Sequence, residues 1–596
     1  MKTHIIRRAL LALGICSALN MQAQAPHPER IYLSGTGTDY IRTWEFYCSK
    51  GQNSGKWKSI EVPSCWELQG FGEYTYGRYY TIKGAKPSDE TGIYRYRFLT
   101  PDCGKTDRVK LFFDGVMTDA EVWVNGKSAG QIHQGAFYRF SYDITSLLKT
   151  EGENLLEVKV AKQSANKSVN AAERRADWWL YGGIYRPVWL EVVPAVSVEH
   201  FILDARADGS LRASVRMAGN AEGHVLAVSI RGLKDGKPLR TLQGKEQVSC
   251  PLATSGREIE FTCKWSDVKV WNTEAPELYV ARLELKDRSG NVIQVREEWI
   301  GFRTIEFFPQ DGIYLNGTRL IVKGINRHSF SVDGGRTTSA AMSRQDALLI
   351  KEMNMNAVRS HYPPDEHFLD ACDSLGLLYI DELAGWQNAY DTVTGSKLVK
   401  EMIARDVNHP CIVLWSNGNE GGWNMATDKL FYRYDPQRRH VIHPWADFDE
   451  LDTHHYPAYL TGVGRFTNGY KVFMPTEFMH GLYDQGHGAG LEDFWTRYTA
   501  HPLFAGGFLW AYSDEAVRRT DCNGILDSED YNAPDGIVGP YREKEGSFYS
   551  VREIWSPIKI KPLQLTPSFN GRFLVENRYL FTNLKECSMR YRVLSY

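Results

Sequence analysis

The sequence predicts a multidomain protein: two β-sandwiches, then a (β/α)8 TIM barrel, then the start of a further β-sandwich. Three observations predict this order. The chain has 596 residues, several times the usual size of one hydrophobic core. Residues 26–302 alternate in short strands separated by turns. Residues 303–558 alternate apolar strands with helical segments.

The N-terminus has the pattern of a secretory signal peptide. Lys2, Arg7 and Arg8 precede an apolar run over residues 9–19, and small residues follow. This pattern predicts a signal peptide over residues 1–25. No later stretch approaches about 18 uninterrupted apolar residues, so no membrane insertion is expected. We therefore expect a protein secreted across the inner membrane into the periplasm.

The cysteines are scattered and form no CxxC pair, which argues against a zinc site and a dense disulfide framework. Cys250 and Cys263 flank one predicted hairpin and are the candidates for a disulfide. A lipid anchor at Cys16 is the alternative to cleavage. It is disfavoured because Ile15 occupies a position where a small residue is expected.

The charge balance excludes some classes of partner. Lys plus Arg number 70 and Asp plus Glu number 72, so the chain shows no electrostatic footprint for nucleic acid or an anionic membrane. Aromatic residues make up 13% of the chain. Their flat rings pack well in sandwich cores, which accounts for most of them, and also against the apolar faces of sugars. The sequence leaves monomer and homo-oligomer open.

Two sandwich domains are predicted before the barrel. The first covers residues 26–195, where Asn125 and Gly126 form a strong hairpin turn because both tolerate positive φ. The second covers residues 196–302 and has the size of an immunoglobulin-like module. The clearest strands of the first are Tyr94–Phe98, Val109–Phe113, Ala120–Val124 and Leu155–Lys159.

A catalytic TIM barrel is predicted over residues 303–558. The segment contains eight strand candidates, and eight parallel strands are the number that closes a (β/α)8 barrel. Residues 365–375 place apolar side chains on one helical face, as an outer helix requires. After it, residues 559–596 resume strand-like alternation, over 573–577 and 589–593. The eight candidates are Leu320–Asn326, Asn356–Tyr362, Leu377–Glu382, Ile412–Glu420, His440–Asp447, Leu451–Tyr456, Val472–Phe478 and Phe504–Tyr512.

Polar residues end nearly every predicted barrel strand, where barrels carry their functional side chains. Glu420 ends the fourth strand and Glu477 the seventh, so their carboxylates are expected to face each other across the mouth. Cleavage of a glycosidic bond with retention needs such a pair, about 5–5.5 Å apart. Glu382 competes for either role, but its place beside Asp381 favours a supporting one. Two salt-bridged rim glutamates are the structural alternative.

The fourth predicted strand and the residues before it read Asn408-His-Pro-Cys-Ile-Val-Leu-Trp-Ser-Asn-Gly-Asn-Glu420. This motif resembles the acid/base signature of glycoside hydrolase family 2, the family of β-galactosidases, β-glucuronidases and β-mannosidases. The resemblance covers about residue 40 to the C-terminus and implies that the first domain is a jelly-roll, sugar-binding sandwich. Further motifs similar to the family's are Lys323–His328, Asn356–Pro363, Pro475–His480, Gly506–Trp510, Thr91–Tyr94 and Val122–Gly126.

The resemblance implies roles for individual residues. Glu420 would be the acid/base and Glu477 the nucleophile. Asn419 would hold the 2-hydroxyl of the sugar, and Tyr456 would hydrogen-bond the nucleophile. The remaining implied sugar-binding residues are Asp177 from the first domain, His328, His361, His480 and the stacking residue Trp510.

One departure concerns metal. Known β-galactosidases of this family hold magnesium with an acidic residue and a histidine after the third strand, whereas this chain has Gly385-Trp386-Gln387. We therefore expect no cofactor and question a magnesium requirement. The histidines alone do not indicate a metal hydrolase, since no HExxH spacing is present.

The sequence thus predicts a retaining exo-β-glycosidase that removes terminal β-D-galactose from oligosaccharides. β-Glucuronidase and β-mannosidase specificities remain alternatives, because all three share the acid/base and nucleophile motifs. A carbohydrate-binding protein on a decayed barrel is the non-enzymatic alternative. The presence of both glutamates and Tyr456 argues against it.

Overall fold

The computed structural model describes residues 30–253, 257–460, 470–481, 487–530, 532–562, 566–590 and 592. The predicted signal peptide lies outside this range. Within it, no helix has the length and apolar character needed to cross a bilayer.

The first domain is a sandwich of a four-stranded and a seven-stranded antiparallel sheet. All four strands singled out from its sequence form, and Asn125 and Gly126 make the predicted turn with φ of 54° and 75°. One sheet comprises Ile31–Tyr32, Val188–Val193, Arg108–Phe113 and Phe140–Asp143. The other comprises His133–Gln134, Asp119–Val124, Lys127–Ser128, Glu153–Ala161, Thr91–Leu99, Arg42–Cys48 and Trp57–Val62. Outside these sheets lie Thr75–Tyr76 paired with Trp179–Leu180, Val116–Met117 paired with Gly183–Ile184, the helix Lys167–Glu173 and the 3-10 turns Trp66–Gln69, Gly77–Thr81 and Thr145–Leu147.

The second domain is the predicted immunoglobulin-like sandwich. Cys250 and Cys263 lie on strands of its two different sheets and both are free thiols. The suggested disulfide was therefore wrong, because the two strands are not hairpin partners. One sheet comprises Ser197–Ala205, Ser210–Ala218 and Glu258–Lys264, and the other Gln247–Pro251, Val225–Gly232, Tyr279–Lys286 and Val292–Ile300.

The third domain is the TIM barrel. Its strands, first to eighth, are Val322–Asn326, Ala357–Arg359, Leu378–Trp386, Ile412–Asn419, Val441–Ile442, Leu451–Asp452, the pair Val472–Phe473 and Phe478–His480, and Gly506–Trp510. Seven segments form one parallel sheet running from the fifth strand through the first to the eighth and Phe478–His480. The sixth strand, Leu451–Asp452, pairs in parallel with Val472–Phe473 of the seventh strand. Its other edge pairs antiparallel with Asp447–Phe448.

Several barrel strands differ from their predicted extents. The second and the sixth are shorter, Ala357–Arg359 and Leu451–Asp452, and the fifth and the seventh are interrupted. Prolines explain both interruptions, since Pro444 and Pro475 cannot donate a ladder hydrogen bond. The predicted outer helix forms as Glu366–Leu375 and buries Phe368, Leu369 and Cys372. The other helices are Ala340–Glu352, Thr392–Asp406, Asp428–Tyr434, Leu491–Thr499 and Gly546–Ile554, with a 3-10 turn at Met425–Thr427. Short strands flank the barrel at Ile305–Phe308, Gly312–Leu315, Thr318–Arg319, Val517–Arg518 and Leu526–Asp527.

The first domain packs directly on the barrel. Arg186 forms a buried ion pair of 2.8 Å with Asp365, the residue that precedes the outer helix. The ring of Phe137 stacks on that of Tyr362 with centroids 4.3 Å apart. This interface carries the loop around Asp177 to the mouth of the barrel.

The C-terminal region, where the start of a further sandwich was predicted, forms one antiparallel pair, Ile558–Pro562 with Phe573–Asn577, followed by the 3-10 turn Leu584–Glu586. A single pair does not test the prediction of a sandwich. Met589 and Arg590, which were predicted to start another strand, form none. Residues 591 and 593 of that prediction lie outside the described range.

Candidate active site

Glu420 and Glu477 face each other at the carboxyl ends of the barrel strands. One carboxylate oxygen of each lies within 4.8 Å of the other, and a ring nitrogen of His455 lies within the same distance of both. Glu420 and Tyr456 have backbone φ of 47° and 45°. Such left-handed conformations are uncommon for non-glycine residues and concentrate at functional sites.

A tight glycine turn presents Glu420. A Cβ atom on Gly422 would lie 1.6 Å from the carbonyl oxygen of Gly385, and one on Gly418 would lie 2.1 Å from the carbonyl oxygen of Gly422. The ends of the third and fourth strands and the turn at Gly422 can pack this closely only because side chains are absent there. The close packing brings Gln387 to Glu420, and the Gln387 amide donates a 2.9 Å hydrogen bond to Oε2.

Glu477 is buried among donors and positive charge. The Tyr456 hydroxyl donates a 2.6 Å hydrogen bond to its Oε2, and Arg359 donates one of 3.0 Å to its Oε1. His361 Nε2 lies 3.2 Å from Oε1. Burial opposes ionisation, but His455, His361 and Arg359 together hold the pKa of Glu477 well below its usual value. Glu477 is therefore ionised at neutral pH.

His455 links the two carboxylates and was not among the predicted site residues, although it lies beside Tyr456. Its Nδ1 is 3.0 Å from Glu420 Oε1 and 3.4 Å from Glu477 Oε2. Its Nε2 is 2.9 Å from the hydroxyl oxygen of Thr476, which donates its own proton to the carbonyl of Thr453. Nε2 must therefore be the donor toward Thr476.

Arg359 and Asn419 form the floor of the site. Arg359 donates hydrogen bonds of 2.7 Å to Asn419 Oδ1 and 2.8 Å to Glu382. Glu382 thus supports the site, as its sequence position predicted. Within the described residues the buried Asn419 Nδ2 has no hydrogen-bond partner. This amide is available to a hydroxyl of a bound sugar.

The predicted sugar-binding rings lie together. The centroid of the Trp510 ring is 5.0 Å from that of His361, 5.5 Å from that of His328 and 6.2 Å from that of His480. Burial lowers the pKa of His361 and His480 to about 4 and that of His328 well below its usual value. At neutral pH these imidazoles are uncharged and can both donate and accept hydrogen bonds.

Three further carboxyl groups lie near Trp510 and His328 and within electrostatic reach of one another. Asp177 pairs with Arg78 at 3.1 Å, and Asp535 accepts a 2.6 Å hydrogen bond from Trp510 Nε1. Neither oxygen of buried Glu515 has a hydrogen-bond partner among the described residues. Burial raises the pKa of Glu515 to about 7, and raises the pKa values of Asp177 and Asp535 as well.

Of these carboxyl groups only Asp177 was predicted. Asp535 and Glu515 follow the eighth strand in a loop, and no motif in the sequence marked them. Their proximity to Trp510 in the chain was the only available signal.

The residues near Glu420 do not fit the magnesium site discussed above. Gln387 offers an N–H donor to a Glu420 oxygen, where a cation would need a further carboxylate or imidazole ligand. Besides Glu420, His455 and Glu477, one other group among the described residues has side chains that could bind a metal ion. It consists of Asp373, His409 and Cys411 and lies before the fourth strand. There His409 Nδ1 lies 2.6 Å from Asp373 Oδ2, and Cys411 N–H donates to the other oxygen, so this cluster is already satisfied internally.

Comparison with known families agrees with this architecture. The model described as "Glycosyl hydrolases family 2, sugar binding domain" matches residues 44–194. The model "Glycosyl hydrolases family 2" matches residues 196–303, and the model for the TIM barrel domain of that family matches residues 309–533.

Relatives of known name are similar over most of this chain. A "Beta-galactosidase" of Priestia megaterium is 30% identical over 89% of this chain and 55% of its own length. A "Putative beta-glucuronidase" of Formosa agariphila is 28% identical over 80% of this chain and 59% of its own length. The chain thus spans a little over half the length of curated relatives.

Solved structures share the fold. An FMN-binding β-glucuronidase from Facaelibacterium prausnitzii superposes with a TM-score of 0.72 at 21% identity, over 90% of this chain and 87% of that one. A putative β-galactosidase from Bacteroides fragilis gives 0.70 at 21% identity with the same coverage. Since three successive domain models of one family match in chain order, and the two glutamates face each other where the acid/base signature predicted, the chain belongs to glycoside hydrolase family 2.

Proposed function

We propose that this protein is a retaining exo-β-glycosidase in which Glu477 is the nucleophile and Glu420 the acid/base. The observation that carries the proposal is the short gap, within 4.8 Å, between facing carboxylate oxygens of these residues. Retaining enzymes place their carboxyl groups about 5–5.5 Å apart, whereas inverting enzymes leave room for a water molecule between sugar and base.

The environments of the two residues suit these different roles. Glu477 is ionised and held by Tyr456 and Arg359, as a carboxylate that attacks an anomeric carbon must be. Glu420 is partly exposed at the mouth, where a leaving group departs and water enters.

In the first step Glu477 attacks the anomeric carbon while Glu420 gives its proton to the departing oxygen. In the second step Glu420 takes a proton from water, which displaces Glu477 and restores the original configuration. The free amide of Asn419 would bind the 2-hydroxyl, where hydrogen bonds strengthen in the transition state.

Charge favours galactose over glucuronic acid as the terminal sugar. Asp177, Glu515 and Asp535 lie beside the predicted sugar-binding rings, and the pKa of each is raised because burial disfavours negative charge there. A uronate carboxylate would meet the same penalty. Arg78 is already paired with Asp177, and Arg359 with Glu382 and Glu477. Neutral β-galactosides are therefore the proposed substrates, and β-mannosides remain the second candidate.

Two further features belong to the proposal. Asp177 of the first domain closes one side of the mouth, which favours release of a single terminal sugar over cleavage within a chain. The N-terminal pattern supports export to the periplasm, where oligosaccharides would be met.

A panel of 4-nitrophenyl β-galactoside, β-glucuronide and β-mannoside tests the proposal, with the first product anomer followed by NMR. We expect the galactoside to be hydrolysed with the highest kcat/KM and the β-anomer to appear first. An α-anomer as first product would exclude the mechanism. A preference for glucuronide would exclude the sugar assignment alone. Glu477→Gln, which keeps the shape of the side chain, is the inactive control.

A further inference from the structure

A basic surface borders the pocket on the side of the first domain. It consists of Lys83, Lys167 and Arg175 around the rings of Tyr79 and Tyr80, and it lines a shallow depression of about 460 Å³. No acidic residue lines the depression.

Two contacts and one electrostatic interaction place this surface next to the catalytic residues. Tyr80 lies in the turn Gly77–Thr81, whose Arg78 is bound to Asp177. The guanidinium of Arg175, two residues before Asp177, lies 5.1 Å from the centroid of the Tyr80 ring. Burial raises the pKa of Tyr80; the cations of Arg78 and Arg175 oppose this effect, and the carboxylates of Asp177 and Glu420 add to it, so both carboxylates lie within electrostatic reach of the ring.

The three cations of the surface have no acidic partner among the described residues, although Arg175 also contacts the Tyr80 ring. Among the described residues none of Lys83, Lys167 and Arg175 forms an ion pair within 4.0 Å. Elsewhere on the same domain an equally exposed lysine, Lys50, is paired with Asp89 at 2.7 Å. Three unpaired cations beside one pocket attract an anion more strongly than a mixed surface does.

Aromatic rings add a preference for sugars. The rings of Tyr79 and Tyr80 are perpendicular, with centroids 6.2 Å apart, and both are partly exposed. Tyrosine rings pack against the apolar faces of sugar rings while their hydroxyls remain in water.

We propose that this surface binds the part of the substrate on the reducing side of the cleaved bond, and that it selects saccharides carrying a carboxylate or sulfate group there. The proposal rests on the proposed glycosidase function and adds the class of substrate. The terminal sugar would be neutral, because the inner pocket disfavours anions, and the sugars that follow it would be acidic.

The test compares kcat/KM for three β-galactosyl disaccharides, in which the reducing sugar is glucose, glucuronic acid or glucose sulfate. We expect about tenfold higher values for the acidic substrates at low ionic strength, and a smaller ratio at 0.5 M salt because these charges are exposed. If both acidic substrates are favoured, charge alone is recognised. If only one is favoured, the surface distinguishes carboxylate from sulfate.

A charge-reversed variant with Lys83→Glu, Lys167→Glu and Arg175→Glu should lose the preference, so that the ratio of acidic to neutral substrate falls to one or below. The matched control reverses three exposed cations of the second domain, Lys245→Glu, Arg257→Glu and Lys269→Glu, and should keep the ratio.

Because each ratio is taken within one protein, partial loss of folded enzyme does not affect it. An equal kcat/KM for neutral and acidic disaccharides in the wild type would overturn the inference, as would a preference that survives the reversal. Failure of the glycosidase proposal would differ, since the wild type would then turn over no nitrophenyl galactoside.

Discussion

His455 Nδ1 lies 3.0 Å from Glu420 Oε1. Since Nε2 of the same ring donates to Thr476, Nδ1 is the ring atom that faces both carboxylates, and it lies 3.4 Å from Glu477 Oε2. We therefore interpret His455 as a positioning residue for Glu420, the proposed acid/base.

Replacement of His455 by Phe should lower kcat more than it raises KM. The ring nitrogen 3.0 Å from Glu420 Oε1 is lost, so the carboxyl group is held less well in its reacting position. We expect kcat to fall about 10–100-fold, the cost of a misplaced catalytic group. His455→Gln, which can retain an N–H donor, should recover part of the loss. An unchanged kcat in the Phe variant, or no recovery with Gln, would contradict the positioning role.

Glu420→Ala should separate the two chemical steps. An activated aryl leaving group barely needs a proton, so the first step survives and the glycosyl-enzyme accumulates. Added azide needs no general base and should restore turnover as the β-glycosyl azide. On an unactivated disaccharide the rate should fall by several powers of ten, on the order of 10³-fold or more. Product NMR is the measurement.

Glu477→Ala should behave in the opposite way. With the nucleophile absent, no leaving group rescues the normal route, and azide entering the vacated space should give the α-configured product. If Glu477→Ala gave the β-azide and Glu420→Ala the α-azide, the two roles would have to be exchanged.

Chelation should leave activity unchanged. The amide of Gln387 donates a hydrogen bond to Glu420 Oε2. This oxygen is therefore already satisfied and does not need a bound cation. We expect kcat/KM within about twofold of the starting value after EDTA treatment. A large loss restored by magnesium would show that ligands come from another part of the chain.

Acid should destabilise the fold through buried neutral histidines. His361 has a pKa lowered by burial from 6.5 to about 4, so the unfolded chain gains a proton that the folded chain resists. The free energy of unfolding therefore decreases as pH falls from about 6.5 toward 4, by up to about 3 kcal/mol from this residue. His361→Gln should therefore show a flatter dependence of melting temperature on pH between 7 and 4.5. An unchanged slope would contradict the assignment.

The sequence was informative wherever local periodicity and strand ends determine structure. Glu420 and Glu477 could be predicted because side chains at the ends of parallel strands converge. His455, Glu515 and Asp535 could not, because their positions depend on loop conformations that no local pattern records. His455 also lies in a run of polar residues in which each neighbour was an equally plausible candidate.

The ends of the strands also separate what local sequence determines from what it does not. The turn at Asn125 is fixed by the backbone preferences of two residues and formed as predicted. The extents of the fifth and seventh barrel strands were overestimated because hydrophobic alternation continues past Pro444 and Pro475, where pairing stops. The geometry of the Cys250 and Cys263 strands depended on sheet order, which one sequence does not reveal.

The buried pair between Arg186 and Asp365 has a consequence for engineering. Since the first domain supplies Asp177, Arg78 and the basic surface, the barrel excised alone would keep both glutamates but have one open side. Under the proposed function, the barrel holds both glutamates and the rings around the terminal sugar, whereas the first domain adds Asp177 and the basic surface. Exchanging the first domain between relatives, with the Arg186–Asp365 pair retained as the joint, is therefore expected to change the preference for the sugars beyond the cleaved bond and to leave both glutamates unaltered.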